Sequence, residues 1–239
     1  MEKWRLKKLV TKALFEDMPW GDITSDLLIP IDKMTSSKLM AKSKAVLCGI
    51  DPFLMAFEIV DPNVKAEVSI PEGSWVKFGD SPIKLSGAAR TMLKAERVAM
   101  NFLTHMSGIA TQTRYVVEAI KGTCCRVTAT RKTLPLLREI QRYAVVVGGG
   151  IDHRMDLSSS IIIKDNHIAA LRGISSAVIE AKKHAPHTMK IEVEVTSLEG
   201  AKVAIDAGTD IILLDNMNPD QIREIINIAP KNVIMEASG

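Results

Sequence analysis

The residues best able to do chemistry lie between Thr130 and His167, in the stretch TRKTLPLLREIQRYAVVVGGGIDHRMDLSSSIIIKDNHI. Arg131, Lys132, His153, Arg154, Lys164 and His167 all fall here, beside turns and at the ends of short apolar runs rather than along one helix face. Cations gathered in this way suit an anionic ligand, because carboxylates and phosphates accept charge-assisted hydrogen bonds from Arg and Lys. Further along, Glu194, Asp215 and Glu236 each follow an apolar run. Their hard oxygens suit Mg2+ or the hydroxyls of a polyol. A phosphorylated sugar would satisfy both the cationic and the acidic wall.

The elements that must position these groups follow from the patterning. The β-branched run 126–130 predicts a buried strand that ends in Arg131 and Lys132. After Pro135 the pattern turns helical over about 136–147, and Gly148-Gly149-Gly150 must end that helix. Residues 160–163 predict a second strand, ending in Lys164. The same unit then recurs: helix 174–184, strand 190–193 ending in Glu194, helix 198–207, strand 210–214 ending in Asp215, helix 219–228, and strand 232–235 ending in Glu236. Strands alternating with helices call for parallel β/α units. In β/α barrels the catalytic groups collect at the C-terminal ends of the strands, so Arg131, Lys132, Lys164, Glu194, Asp215 and Glu236 are expected to converge. Any one strand-end charge is equally well a solvated cap; their succession is what points to a site.

The N-terminal half reads differently. Trp4, Leu6, Leu9, Val10, Ala13 and Leu14 mark an amphipathic helix ending before Pro19, and Gly21–Asp26 reads as an Asx or Ser/Thr turn. Short strands over 38–46, 64–70, 75–78 and 83–85, with a helix over 52–59, predict a small α+β domain. The hairpin 71–80 is similar to those of biotinyl and lipoyl carriers, but it presents no lysine at its tip, and the carrier reading is rejected. From 88 to about 106 the pattern is helical; Gly108 is expected to end that helix, and a second helix covers 111–120. A domain boundary near 110 follows, with residues 1–110 in the first domain and 111–239 in the second.

Composition narrows the partners. A net charge of +3 and only 4% aromatic residues argue against nucleic acid. No apolar stretch is long enough to span a bilayer, so a cytoplasmic protein with no membrane partner is expected. The three cysteines, Cys48 and the adjacent Cys124 and Cys125, have neither disulfide nor zinc spacing and read as small buried residues without chemistry.

The chain closely resembles the quinolinate phosphoribosyltransferases, the carboxylating nicotinate-nucleotide pyrophosphorylases. The likeness rests on residues 21–25, Glu96-Arg97 through 101–103, Ser107–Thr111, Thr130-Arg131-Lys132-Thr133, Gly148–Gly150 with His153-Arg154, 163–167, Glu192–Val195, 214–217 and 236–239. It implies an N-terminal α/β sandwich domain with an open, incomplete β/α barrel of the type II phosphoribosyltransferase kind. The reaction it implies joins quinolinate to phosphoribosyl pyrophosphate, with Mg2+, giving nicotinate mononucleotide, pyrophosphate and CO2. By motif, Arg131, His153, Arg154 and Lys164 look like the residues that bind the quinolinate carboxylates. Arg97 would reach in from the partner subunit of a homodimer or higher homo-oligomer. Lys132 looks like a ligand of the phosphoribosyl donor, while Glu194 and Asp215 would hold ribose hydroxyls and the metal.

Two departures from the family pattern stand out. Leu136 follows Pro135 where the family usually has glycine, read as a tolerated loop change. The family also continues past the Glu-Ala-Ser-Gly motif with a phosphate-binding strand, whereas this sequence ends at Gly239. Rival readings are a branch associated with molybdenum transport, a Schiff-base barrel using Lys164, and a non-catalytic protein that binds a small anion.

Overall fold

The computed structural model describes residues 1–239 and contains two compact units, Met1–His153 and Arg154–Gly239. The first opens with helix α1 (Lys3–Asp17), which buries Leu6, Val10 and Leu14, one every fourth residue. Trp4, expected on that buried face, is 59% exposed. The turn expected at Gly21–Asp26 is the start of a short helix, α2 (Ile23–Leu28), whose N-cap Asp22 accepts from the Thr24 and Ser25 amides. Strands β1 (Met34–Lys38) and β2 (Ala45–Val46) replace the single run expected over 38–46. Helix α3 (Ile50–Val60), β3 (Lys65–Val68), β4 (Trp75–Val76) and β5 (Ile83–Ala88) follow. β5 lies between β1 and β3 in an antiparallel sheet, and β2 pairs with β4.

Helix α4 (Ala89–Ala119) runs 31 residues without a break, so Gly108 does not end it and there is no separate helix over 111–120. One interior glycine costs roughly 1 kcal/mol. The helix buries Met106 just before that residue and Ala110 and Thr111 just after it, which outweighs the cost. The helix also passes straight through residue 110. Helix α5 (Arg138–Val147) completes the first unit, whose core gathers α1, α3, α4, α5 and the inner face of β5.

The predicted strand 126–130 does not form. It makes one parallel bridge, Thr128 with Ile151, closed by Ala129 N–H to Ile151 O and Ile151 N–H to Val127 O. A ladder would need a longer extended partner than the few residues after Gly150. Cys48 is buried as expected, but Cys124 and Cys125 are exposed, in the turn region that precedes this bridge.

The second unit is a parallel sheet in chain order: β6 (Ile161–Ile163), β7 (Ile191–Val195), β8 (Ile211–Asp215) and β9 (Ile234–Ser238). Helices α6 (Asp165–Ala170), α7 (Ile174–His184), α8 (Leu198–Asp206) and α9 (Pro219–Ile228) connect the strands. This is the open β/α arrangement expected. The register sorts the side chains by face. Ile163, Ile191, Val193, Val195, Ile212 and Leu214 bury against Ala177, Val178, Ala201, Ala204 and Ile225 of the helices. The opposite face therefore carries Ile162, Glu192, Glu194, Ile211, Leu213, Asp215, Glu236 and Ser238. No helix of the protein is long and apolar enough to cross a membrane.

Candidate active site

The polar face of the second unit brings together a large part of the expected site. Lys164 leaves the end of β6 and its ammonium meets the Glu194 carboxylate of the neighbouring strand. The pair is partly buried, with Glu194 the more enclosed of the two side chains at 16% exposure. Lys164 is also the N-cap of α6, and its backbone N–H donates to His167 Nδ1 at 2.9 Å. His167 thereby braces the backbone of Lys164 at the start of α6. One strand further on, Asp215 accepts from Ser238 Oγ at 2.6 Å and Asn216 Nδ2 at 2.8 Å. Asn216 has φ +54°, a left-handed conformation that asparagine tolerates.

Glu194 was expected to end a strand and so was Glu236, but both lie inside their strands. The shift exposes a group that the strand-end argument missed. Glu192, two residues before Glu194 on the same face, is 1% exposed, and its carboxylate lies within 4.8 Å of that of Glu236. Burial, and then the Glu236 charge, push the Glu192 carboxyl up to about 7, against the opposing pull of Arg154 and Lys164. The Ile-Glu-Val-Glu-Val alternation was the signal, since period two places both glutamates on one face. Arg154 donates to the Ser160 carbonyl at 3.1 Å across a serine-rich loop. Inside that loop the hydroxyls of Ser159 and Ser158 hold the Asp156 carboxyl down at about 2.

The remaining expected residues lie in the first unit. Arg131 is half-buried, and its Nε is enclosed with no hydrogen-bond partner, a donor turned away from water. Lys132 is exposed, with its N–H bonded to Thr130 Oγ1 at 2.8 Å. Arg97 is exposed on α4. His153 is half-buried, and its main-chain oxygen accepts from Arg142, which also bonds Asp152 at 2.8 Å. Arg142 had no distinguishing mark in the sequence because α5 carries it at helical spacing from Arg138.

Chemically, the polar sheet face offers four carboxyl groups in the second unit, Glu192, Glu194, Asp215 and Glu236, with Glu194 paired to Lys164 and Arg154 in electrostatic reach of Glu192. The oxygens of Glu194 and Asp215 are of the kind that suit Mg2+ or ribose hydroxyls, whereas the carboxylates that the fold draws to within 4.8 Å of each other are those of Glu192 and Glu236.

Comparison with known proteins identifies the family. Residues 109–239 match the family model described as quinolinate phosphoribosyl transferase, C-terminal domain, and residues 22–107 match the N-terminal domain of the same family. A probable carboxylating nicotinate-nucleotide pyrophosphorylase of Bacillus subtilis is 37% identical over 239 residues, covering 100% of this chain and 82% of the relative. One from Methanocaldococcus jannaschii is 41% identical over 223 residues, covering 92% of this chain and 77% of the relative. The crystal structure of NadC from Streptococcus pyogenes superimposes with a TM-score of 0.96 at 38% identity, covering 100% of this chain and 85% of that one. The chain belongs to the quinolinate phosphoribosyl transferase family.

Proposed function

We propose that this protein is a cytoplasmic carboxylating nicotinate-nucleotide pyrophosphorylase. It transfers the phosphoribosyl group of phosphoribosyl pyrophosphate to quinolinate and releases pyrophosphate and CO2. The observation that carries the reading is the polar face of the parallel sheet, where the Lys164–Glu194 pair and the braced Asp215 stand on adjacent strands of a chain with this family's organisation.

Each residue has a role that follows from its chemistry. Arg131, His153, Arg154 and Lys164 take the two quinolinate carboxylates, fixing the ring so that its nitrogen faces the ribose C1. Departure of pyrophosphate develops positive charge at C1, and Glu194 and Asp215, holding the ribose hydroxyls, favour that charge. Lys132 holds the phosphoribosyl donor. Mg2+, held by Glu194 and Asp215, would supply charge neutralisation on the leaving pyrophosphate. After the N–C bond forms, the bond from the neighbouring ring carbon to its carboxylate breaks; the electron pair stays on that carbon, stabilised by the adjacent positive nitrogen, and takes a proton from solvent as CO2 leaves, so no enzyme nucleophile is needed. Arg97 belongs to the site of a second copy in a homodimer. The exposed apolar run Trp20, Ile23, Leu27 and Ile31, each more than 70% accessible, supports a surface that another copy covers.

The test is a direct assay with quinolinate, phosphoribosyl pyrophosphate and Mg2+, following nicotinate mononucleotide and CO2. Turnover is expected in the wild-type protein and is expected to be lost in Lys132→Ala and in Glu194→Ala. Wild-type protein that forms no nicotinate mononucleotide, or variants as active as wild type, would overturn the assignment.

A further inference from the structure

Two arginines with no part in the roles above hold both ends of the loop that carries His153. At its start, Arg114 Nε donates to the Gly148 carbonyl at 2.8 Å, and Nη2 reaches Val147 O at 3.2 Å and Gly73 O at 3.4 Å. At its end, Arg142 Nη2 donates to Asp152 Oδ1 at 2.8 Å and to the main-chain oxygen of His153. Between the two there is little slack. A Cβ at Gly148 would meet Ala110 O and Thr113 Cβ at 2.6 Å, and one at Gly150 would meet Val145 Cγ1 at 2.7 Å.

The Arg142 side chain is only 4% exposed, whereas that of Asp152 is 61% exposed. Burying a guanidinium is costly unless its donors are well used. This one turns a single nitrogen, Nη2, toward two consecutive residues of one loop, Asp152 and His153. A buried charge committed in that way fixes where the loop ends, and the loop ends at the imidazole assigned to the acid pocket.

We propose that Arg142, with Asp152 as its counter-ion, is a positioning residue that sets His153 for binding the pyridine dicarboxylate. The inference rests on the transferase reading above. It acts through His153, so it governs recognition of the acid and leaves the phosphoribosyl donor alone. Misplacing a group by even an ångström weakens a site built from charge-assisted bonds.

The experiment is steady-state kinetics of Arg142→Met, Arg142→Lys and Asp152→Asn beside wild type, varying quinolinate and phosphoribosyl pyrophosphate separately. Calorimetric quinolinate binding and melting curves accompany each variant. Arg142→Met is expected to raise the quinolinate KM and Kd about tenfold with the donor's KM unchanged, the loss of roughly one charge-assisted bond. Arg142→Lys recovers part of the affinity, and Asp152→Asn moves the quinolinate KM a few-fold in the same direction. Should Arg142→Met not fold, Asp152→Asn decides: an unchanged quinolinate KM in that folded variant overturns the proposal. A uniform fall in melting temperature and both affinities overturns it too, as the mark of a structural role alone.

Absence of binding and turnover in wild type is a failure of the transferase reading instead. The positioning claim is then decided by the His153 ring resonance, assigned with His153→Gln. A shift in Asp152→Asn supports it, and an unmoved resonance refutes it.

Discussion

Lys164 and Glu194 are thirty residues apart in the chain and adjacent in the sheet, so each is the other's nearest compensation. Removing one leaves an uncompensated charge on an enclosed face, which alters substrate binding and the field at the reacting carbon together. Lys164→Met is expected to lower kcat/KM by about two to three orders of magnitude, and Glu194→Gln by a comparable factor. Steady-state assays of both variants check this; a loss under threefold in either would remove that residue from the site.

Glu192 makes a different prediction. Its folded-state carboxyl lies near 7, above its ordinary value of 4.5. The folded protein therefore holds a proton there that the unfolded chain has released. The associated stability is present below about 4.5 and is lost as pH rises through about 7. Glu192→Gln removes this dependence. In metal-free buffer the variant is expected to gain roughly 1–3 kcal/mol relative to wild type between pH 5 and 8. Urea denaturation across that range measures it, and parallel stability curves for the two proteins would contradict the assignment.

At the scale of elements, the segment from Arg131 to α5 shows how a motif is carried by backbone geometry. Leu136 has φ +66° and is 91% exposed. A branched side chain there costs about 1–2 kcal/mol relative to a glycine, and its exposure gives nothing back by burial. The glycine usual in the family at this position now has a physical reason, and the leucine is a strained substitute rather than a neutral one. Leu136→Gly should raise stability by roughly 0.5–1 kcal/mol, the strain relieved exceeding the entropy glycine adds to the unfolded chain. A melting curve that moves down would show that the turn does not need a left-handed residue. The strand expected over 126–130 fails for a related reason: alternation and β-branching specify an extended segment, but only a partner of matching length makes a ladder.

At the scale of the molecule, the exposed apolar run on α2 and its flanks makes the assembly testable. Only Ser25 of α2 is buried, while Ile23, Leu27 and Leu28 are each more than 70% accessible. A homodimer is expected in sedimentation equilibrium, with Ile23→Asp/Leu27→Asp shifting it to monomer and reducing turnover. If Arg97 serves the partner's site, mixing Arg97→Ala with Glu194→Ala subunits restores part of the activity that each lacks alone. No recovery from a mixture shown to exchange subunits would place Arg97 outside the partner's site.

Sequence alone determined the β/α alternation of the second unit, because a buried face writes its period into the chain: helices 174–184 and 219–228 were legible to the residue. It also determined which charges follow apolar runs, and the family motifs that give them roles. Tertiary structure decided the rest. Gly108 could not signal that α4 continues through it, since the packing on either side outweighs a local propensity. Glu192 could not be told from a solvated glutamate until the fold brought its carboxylate within 4.8 Å of that of Glu236. Arg142 became a candidate only when folding buried it against the loop before Arg154. Local pattern reports period and propensity; the partner of a charge lies far off in the chain, and only the fold brings the two within reach.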